Sequence, residues 1–375
     1  MRSYWEQSLI DDYEFGIVGA GIVGLSLAAE LVDAGRKVLV MERAAFPLSA
    51  TLRNAGFACF GSPTELLSDR AAMGDAATLD LVERRFRGLN ILRRRLSDAA
   101  MGYEPCGGYE LLDDPAVLDR LPELNDFLRP VMGTDVFFPA PDHLTQTGIA
   151  GVKAMAQNTL EGVLNSGKTL RALSRYIAEK GGTILSGCAV HVVDSDGERA
   201  LAHAHCVDTK RPFTLSFEAL CVCTNAHAHD LFPELKIVPA RGIVLVTEPV
   251  PGLKLCGSYH WEEGFYYFRH LDGRVLLGGG RNLDLAQEET YNLMDNPRIV
   301  AELERRLREH IIPYASETRV EYVWAGTMAF GKDDKTPITR EVRPRLFCAA
   351  RMGGMGVALA GAVAADLAPQ MMART

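Results

Sequence analysis

Phe15-Gly16-Ile17-Val18-Gly19-Ala20-Gly21-Ile22-Val23-Gly24 is a short apolar run that passes into glycines at G-x-G-x-x-G spacing. The residues before Gly19 favour a strand. Those after Gly24 favour a helix to about Ala34, with Gly35 as its C-terminal cap. Lys37–Met41 is a second β-rich run, and it ends at Glu42. A strand, a glycine turn, a helix and an acid about 20 residues on make the dinucleotide-binding pattern. Gly19 permits the tight turn, Gly21 lets backbone approach a pyrophosphate, and Gly24 lets helix and strand pack closely. The helix N-terminus offers unsatisfied N–H groups and a positive dipole end to a phosphate. Candidate contacts are Gly19, Ala20, Gly21, Ile22, Val23 and Gly24, then Glu42 and Arg43. Glu42 can accept from both ribose hydroxyls, and its charge repels a 2′-phosphate. The pattern alone does not separate FAD from NAD.

Outside this stretch the composition is that of a folded chain. Its 375 residues are 47% hydrophobic and 23% charged, which excludes a disordered or collagenous protein and leaves room for two domains. A formal net charge of −8 removes any overall attraction to nucleic acid. Eight cysteines are scattered without a C-x-x-C pair, so no zinc ribbon or dithiol redox motif is expected. Scattered thiols fit a reducing, cytoplasmic setting. The polar stretch Met1–Asp12 lacks the features of a secretory signal. The apolar runs 15–32 and 353–368 are broken by glycines and by Glu30 and Asp366, so no transmembrane segment is expected. Peripheral attachment at the inner face of a membrane stays open, as does the oligomeric state. The pairs His203/His205 and His227/His229 have no completing carboxylate or thiol, and no metal is expected.

Three further segments favour FAD over NAD. Ser49–Gly56 supplies a hydroxyl, a cation and a glycine loop, with Thr51, Arg53, Asn54, Ala55 and Gly56 as candidate contacts. Near the C-terminus, a strand at Pro344–Ala350 leads into Gly353-Gly354-Met355-Gly356-Val357 and an Ala-rich helix to about Leu367. A helix N-terminus there would stabilise negative charge at the N1–C2=O edge of a reduced flavin. The apolar strand from Ala219 ends in Thr224 and Asn225. Ala71–Ala99 reads as one long helix with a solvated basic face, and Leu283–Pro297 as an ordinary polar surface connection, with a lid over the active site as the other reading.

In order along nearly the whole chain, these segments resemble the D-amino-acid oxidase superfamily of FAD-dependent oxidoreductases. Gly19–Gly24 with Glu42, the Ala50–Gly56 loop, Pro239-Ala240-Arg241-Gly242, Trp324-Ala325-Gly326 with Asp334 and Pro337, and Gly354–Leu359 are similar to its motifs. Val190 matches the backbone contact to adenine. The resemblance implies an α/β, two-domain protein. A Rossmann-like FAD domain (1–90, 150–232, 326–375) would interleave with a mixed, largely antiparallel substrate domain (91–149, 233–325). It implies oxidation of the C–N bond of an amine or amino acid by hydride transfer to flavin N5, with the imine hydrolysed in water and oxygen or a quinone as acceptor. The Arg that grips a substrate carboxylate in the glycine-oxidase branch is replaced by Met328, leaving Arg269, Arg281 or Lys332 to substitute. The His of the terminal motif is Met355. Phe330–Lys335 contains no Cys, so the FAD is expected to be non-covalent. The candidate catalytic residues are Tyr267, Arg269, Trp324 and Lys332, with Tyr259 and Tyr266 as further wall candidates. Two other readings remain: a 2-hydroxy-acid dehydrogenase with His260 as base, and a flavin-binding subunit with structural FAD.

Overall fold

The computed structural model describes residues 4–5, 13–45, 49–332 and 335–374; most of Met1–Asp12, and Asp334, lie outside the described residues. Phe15–Val18 is buried at every position, as the central strand of a parallel sheet must be. It pairs in parallel with Val38–Met41 on one side and Ala219–Val222 on the other. Thr183–Leu185 and Leu346–Ala350 extend the sheet in parallel, and Ile338–Arg343 closes one edge antiparallel. Phe15 and Ile17 face a core built with the Ile22–Asp33 and Gly356–Met372 helices. Val18, Leu39 and Met41 face a three-stranded antiparallel ribbon of Cys188–Ser195, Ala200–Cys206 and Pro212–Phe217. That ribbon comes so near that a Cβ on Gly16 would lie 2.7 Å from the Phe217 ring.

The second sheet has eight strands, in the order Val320–Phe330, Val238–Thr247, Arg274–Gly279, Tyr266–Leu271, Ser258–Trp261, Gly108–Leu112, Ala154–Asn158, Phe137–Pro139. All neighbours are antiparallel except Ser258–Trp261 beside Gly108–Leu112. The chain is therefore the α/β, two-domain protein that its motifs imply, with a mostly parallel sheet and a largely antiparallel one. The expected domain edges need correction. Ala154–Asn158 is a strand of the second sheet, so the boundary placed at 150 falls later, and Val320–Phe330 runs unbroken through the boundary placed at 326.

The helix expected over 71–99 is broken at Gly74, whose φ of 80° ends Pro63–Met73 and starts Asp75–Leu96. Its basic face is not simply solvated. Arg84 and Arg87 pair with Asp366 on the terminal helix, and Arg95 pairs with Glu30 and Asp33. Small residues bring these helices together. A Cβ on Gly88 would overlap the Ala358 carbonyl oxygen, and one on Gly361 would overlap the Gly88 carbonyl oxygen. Because the obstacle is backbone, Gly88→Ala should force the helices apart at a cost of roughly 1–3 kcal/mol. A thermal unfolding midpoint several degrees below wild type is expected; an unchanged midpoint would refute the close crossing.

Candidate active site

A cavity of about 1100 Å³ runs between the two sheets. At one end its wall is the glycine turn. The Glu42 carboxylate accepts from the Ala20 N–H at 3.0 Å and the Ala44 N–H at 2.9 Å, so it is held beside the helix N-terminus. The Ile22–Asp33 helix has no side-chain cap, and its Ile22 N–H donates to Thr51 Oγ1 at 3.0 Å. Thr51 thereby docks the second loop on the first. Gly19, Gly21, Ile22, Val23, Glu42 and Arg43 line the cavity, as do Val190, Thr224 and Asn225. Ala20 and Gly24 are not on the lining. Ala20 acts through its N–H, and Gly24 packs where a Cβ would run into the Gly19 carbonyl oxygen.

Farther along, Thr51, Arg53, Asn54 and Ala55 line one side and Gly353, Gly354, Met355, Gly356 and Val357 the other. Arg53 Nη1 donates to Ala325 O at 2.6 Å, and Trp324 Nε1 donates to Arg53 O at 3.0 Å. Asn54 Oδ1 accepts from the Gly56 N–H at 2.8 Å and the Ser166 hydroxyl at 2.6 Å. Asn225 Oδ1 accepts from the N–H groups of Arg351 and Met352, tying its strand end to the approach of the terminal helix. That helix starts at Met355 without a side-chain cap. Two uncapped helix N-termini facing one cavity, with backbone exposed at glycines between them, fit a dinucleotide carrying anionic groups. Gly56 stands behind the wall with φ 70°, wedged against Leu164 O and Arg269.

Beyond this cradle the cavity is lined by Phe57, Glu65, Asp69, Arg85, His260, Tyr267, Arg281, Met328 and Phe330. Phe57 stands edge-on between the His260 and Tyr267 rings, at 5.2 and 5.8 Å. Burial pushes the Tyr267 phenol up to about 12. Burial also pushes the His260 imidazole down to about 4, with the Glu65 charge opposing and Arg85 assisting, and His260 Nε2 has no hydrogen-bond partner. Burial would raise Glu65, but the charges of Arg85 and Lys335 hold its carboxyl below the usual range. Arg85 Nη1 reaches Glu65 at 3.2 Å, and Lys335 Nζ reaches Asp69 at 2.5 Å. Arg281 is different. It follows Gly280, a left-handed residue, and lays its guanidinium over Phe330 at 4.5 Å. Burial lowers its pKa against the opposing charges of Glu289 and Glu288, and among the described residues no carboxylate lies within ion-pair distance of it.

Three of the four expected catalytic residues do not line this cavity, while Tyr267 does. Arg269 is nearly buried, and its guanidinium is committed to carbonyls: Gly56 O at 3.0 Å, Leu164 O at 2.9 Å, Ala55 O at 3.4 Å and His270 O at 2.9 Å. It fastens the loop behind the cradle. Trp324 is likewise a support, bonded to Arg53 O beside the small Val244, Val246 and Leu276 cluster. Lys332 is exposed and off the lining. Tyr259 is core, with its hydroxyl at Cys256 O and His143 Nε2, and Tyr266 lies under Arg306 on the other face of its strand. The segment 283–297 is more than a surface connection. Arg241 holds Glu288 with two bonds of 2.7 and 2.6 Å and Met294 O at 2.6 Å; Tyr291 donates to Ala226 O, and Leu293 lines the cavity.

Behind the cavity, Glu161 Oε1 accepts from the N–H groups of Phe60 at 2.8 Å and Gly61 at 3.3 Å. Burial nevertheless pushes its carboxyl up to about 8. A raised carboxyl contributes stability that is whole below its unfolded value, near 4.3, and is lost as pH rises toward 8. Thermal midpoints should therefore fall between pH 5 and 8.5, and Glu161→Gln should flatten that fall; parallel profiles would refute the assignment. For Arg269→Ala, orphaned carbonyls should cost roughly 2–4 kcal/mol of stability and leave the substrate KM of the folded enzyme unchanged. A raised KM with normal stability would return Arg269 to the substrate.

A family model described as FAD dependent oxidoreductase matches residues 14–370. The chain is 22% identical to a probable oxidoreductase OrdL of Haemophilus influenzae, over 96% of this chain and 86% of that one. Its fold is similar to an L-proline dehydrogenase from P. horikoshii (TM-score 0.78, 18% identity, 97% and 94% of the two chains). It is also similar to a glycine oxidase from Geobacillus kaustophilus (TM-score 0.71, 20% identity, 96% and 95%). Among the described residues, no helix is long and apolar enough to cross a membrane.

Proposed function

The chain belongs to the family of FAD-dependent oxidoreductases, and from that premise we propose that it oxidises the C–N bond of an amine that carries a carboxylate, an amino acid or an N-substituted one. The observation that carries this reading is Arg281, a half-buried guanidinium on the cavity wall that forms no ion pair among the described residues, with Glu289 and Glu288 acting on it only from a distance. A desolvated cation of this kind is completed by an anionic ligand, and a guanidinium takes a carboxylate with two parallel bonds. The names of the similar proteins, a proline dehydrogenase and a glycine oxidase, point to substrates of the same class.

FAD bound in the cradle supplies the hydride acceptor. The chain's own residues do the rest. Glu42 would accept from the adenosine ribose, and the helix N-termini at Gly21 and Met355 would face the pyrophosphate and the flavin. No Cys stands in 330–335, consistent with a non-covalent cofactor. Arg281 fixes the carboxylate, while Phe57, Tyr267 and Met328 form an apolar wall that excludes water from the reacting carbon. His260 remains neutral above about pH 4 and can accept a hydrogen bond from the substrate nitrogen. The amine must be neutral to assist hydride loss, so the rate of substrate oxidation should rise with pH and its limb should follow the substrate's ammonium rather than His260.

The test is anaerobic bleaching of the yellow protein by a panel of amino acids, N-alkyl amino acids, carboxyl-free amines and 2-hydroxy acids. Carboxylated amines should bleach it. Arg281→Ala should raise the half-saturating concentration about 30- to 100-fold, roughly 2–3 kcal/mol, with a smaller effect on the limiting rate. Equal responses in variant and wild type would remove the clamp. Bleaching by 2-hydroxy acids alone would replace C–N with C–O oxidation.

A further inference from the structure

The ribbon that covers the dinucleotide sheet carries a feature that lies outside this chemistry. Cys188 on Cys188–Ser195 and Cys206 on Ala200–Cys206 stand directly opposite one another in antiparallel register. The hydrogen bonds around them define the kind of pair. Val207 N–H donates to Gly187 O at 2.9 Å, across the strands and one step outside the cysteines. The cysteines' own N–H groups point away from each other, Cys188 to Glu42 O at 2.9 Å and Cys206 to Arg211 O at 3.1 Å. This is a non-hydrogen-bonded site, where facing Cα atoms lie about 4.5 Å apart and side chains share one face. That separation falls within the range a disulfide spans, about 4.4–6.8 Å.

The surroundings of the two thiols differ in a useful way. Cys206 is half-exposed and opens a tight turn closed by Lys210 N–H to Cys206 O at 2.8 Å. Cys188 is buried and borders the dinucleotide end of the cavity. We propose that Cys206 and Cys188 form a peroxide-sensitive dithiol that closes to a disulfide behind the adenosine side of the cofactor site. Donors on Thr209 and the Asp208 backbone lower the Cys206 pKa, against burial and the Asp208 charge, which favours the thiolate that attacks. Burial holds the Cys188 thiol at about 12, so it serves as the resolving partner rather than the first to react.

The oxidant is hydrogen peroxide. The Cys206 thiolate attacks one peroxide oxygen, the O–O bond breaks, and Cys206 becomes a sulfenic acid as water forms. The Cys188 sulfur then attacks the Cys206 sulfur, the S–OH bond breaks, the S–S bond forms, and a second water takes the remaining proton. Two thiols lose two electrons and one O–O bond gains them. Cys221 and Cys223, with sulfurs 3.6 Å apart, lack this access because both are buried, one in the Ala219–Val222 strand and the other just past its end.

The experiment treats the full FAD-loaded chain with stoichiometric peroxide, counts thiols and maps peptides. Free thiols should fall from eight to six, with one crosslink between Cys188 and Cys206 that dithiothreitol reverses. Before oxidation, Cys206 should alkylate about tenfold faster than the exposed Cys256. Cys188→Ser should stop at a sulfenic acid on Cys206, trapped by dimedone, and Cys206→Ser should keep its seven thiols at the same dose. A crosslink elsewhere, or oxidation of Cys256 ahead of Cys206, would overturn the proposal. The wild-type map decides the matter even where a variant fails to fold, and the whole test is independent of which substrate reduces the flavin.

Discussion

The structure depends on how closely one helix sits on one strand. Gly24 packs where a side chain would collide with the Gly19 carbonyl oxygen, so the Ile22–Asp33 helix starts directly above the end of Phe15–Val18. That contact aims the helix N-terminus along the sheet's carboxyl edge. It puts the Ala20 N–H within reach of Glu42 at the end of the neighbouring strand. Thr51 then bonds to the first helical N–H, and Asn54 orders the loop that borders the cavity. Each step places the next, and a shift of the first helix by the width of one methyl group would be felt along the series.

The second sheet is fastened to this base by buried arginines acting on backbone. Arg269 gathers carbonyls from two segments of the cofactor domain, Ala55–Gly56 and Leu164. Arg241 closes the strap over the cavity by holding Glu288 and Met294 O. A planar guanidinium with five donors suits both tasks, since it satisfies several acceptors from one side chain. The same property makes such arginines look like substrate ligands in a sequence. A cation two residues beyond a cavity tyrosine on one strand face has the right position for catalysis, and only the identity of its acceptors separates anchor from ligand.

The cofactor end was legible because its requirements are local. Glycines at fixed spacing, an acid at the end of the next strand and a second glycine turn before an Ala-rich helix are each set by backbone approach and helix dipoles within a few residues. The substrate end was not legible in this way. Phe57, Glu65 and Arg85 come from separate segments and meet His260 and Tyr267 only through tertiary packing, and no periodicity marks them. Gly74 carried a visible signal, a glycine inside a helical pattern, that local reading passed over because its positive φ is known only from structure. The Cys188–Cys206 pair is invisible for a related reason: its members face each other across a hairpin register, not at a fixed sequence interval.

Charge in and behind the cavity wall is handled in different ways. Arg85 is neutralised by Glu65, Arg241 by Glu288, and Arg269 by carbonyl dipoles. Each is a buried cation whose desolvation is offset within the protein. Carboxylates without such partners take the other route, as Glu161 does, with burial favouring its neutral form. His260 also lies in its neutral form at ordinary pH. Arg281 can do neither, because a guanidinium does not give up its proton near neutral pH. The face of Phe330 offsets part of its lost hydration, and the charges of Glu289 and Glu288 act on it without forming an ion pair among the described residues. A half-buried cation with no ion pair among the described residues suits an anionic ligand, and the proposed carboxylate clamp rests on that property.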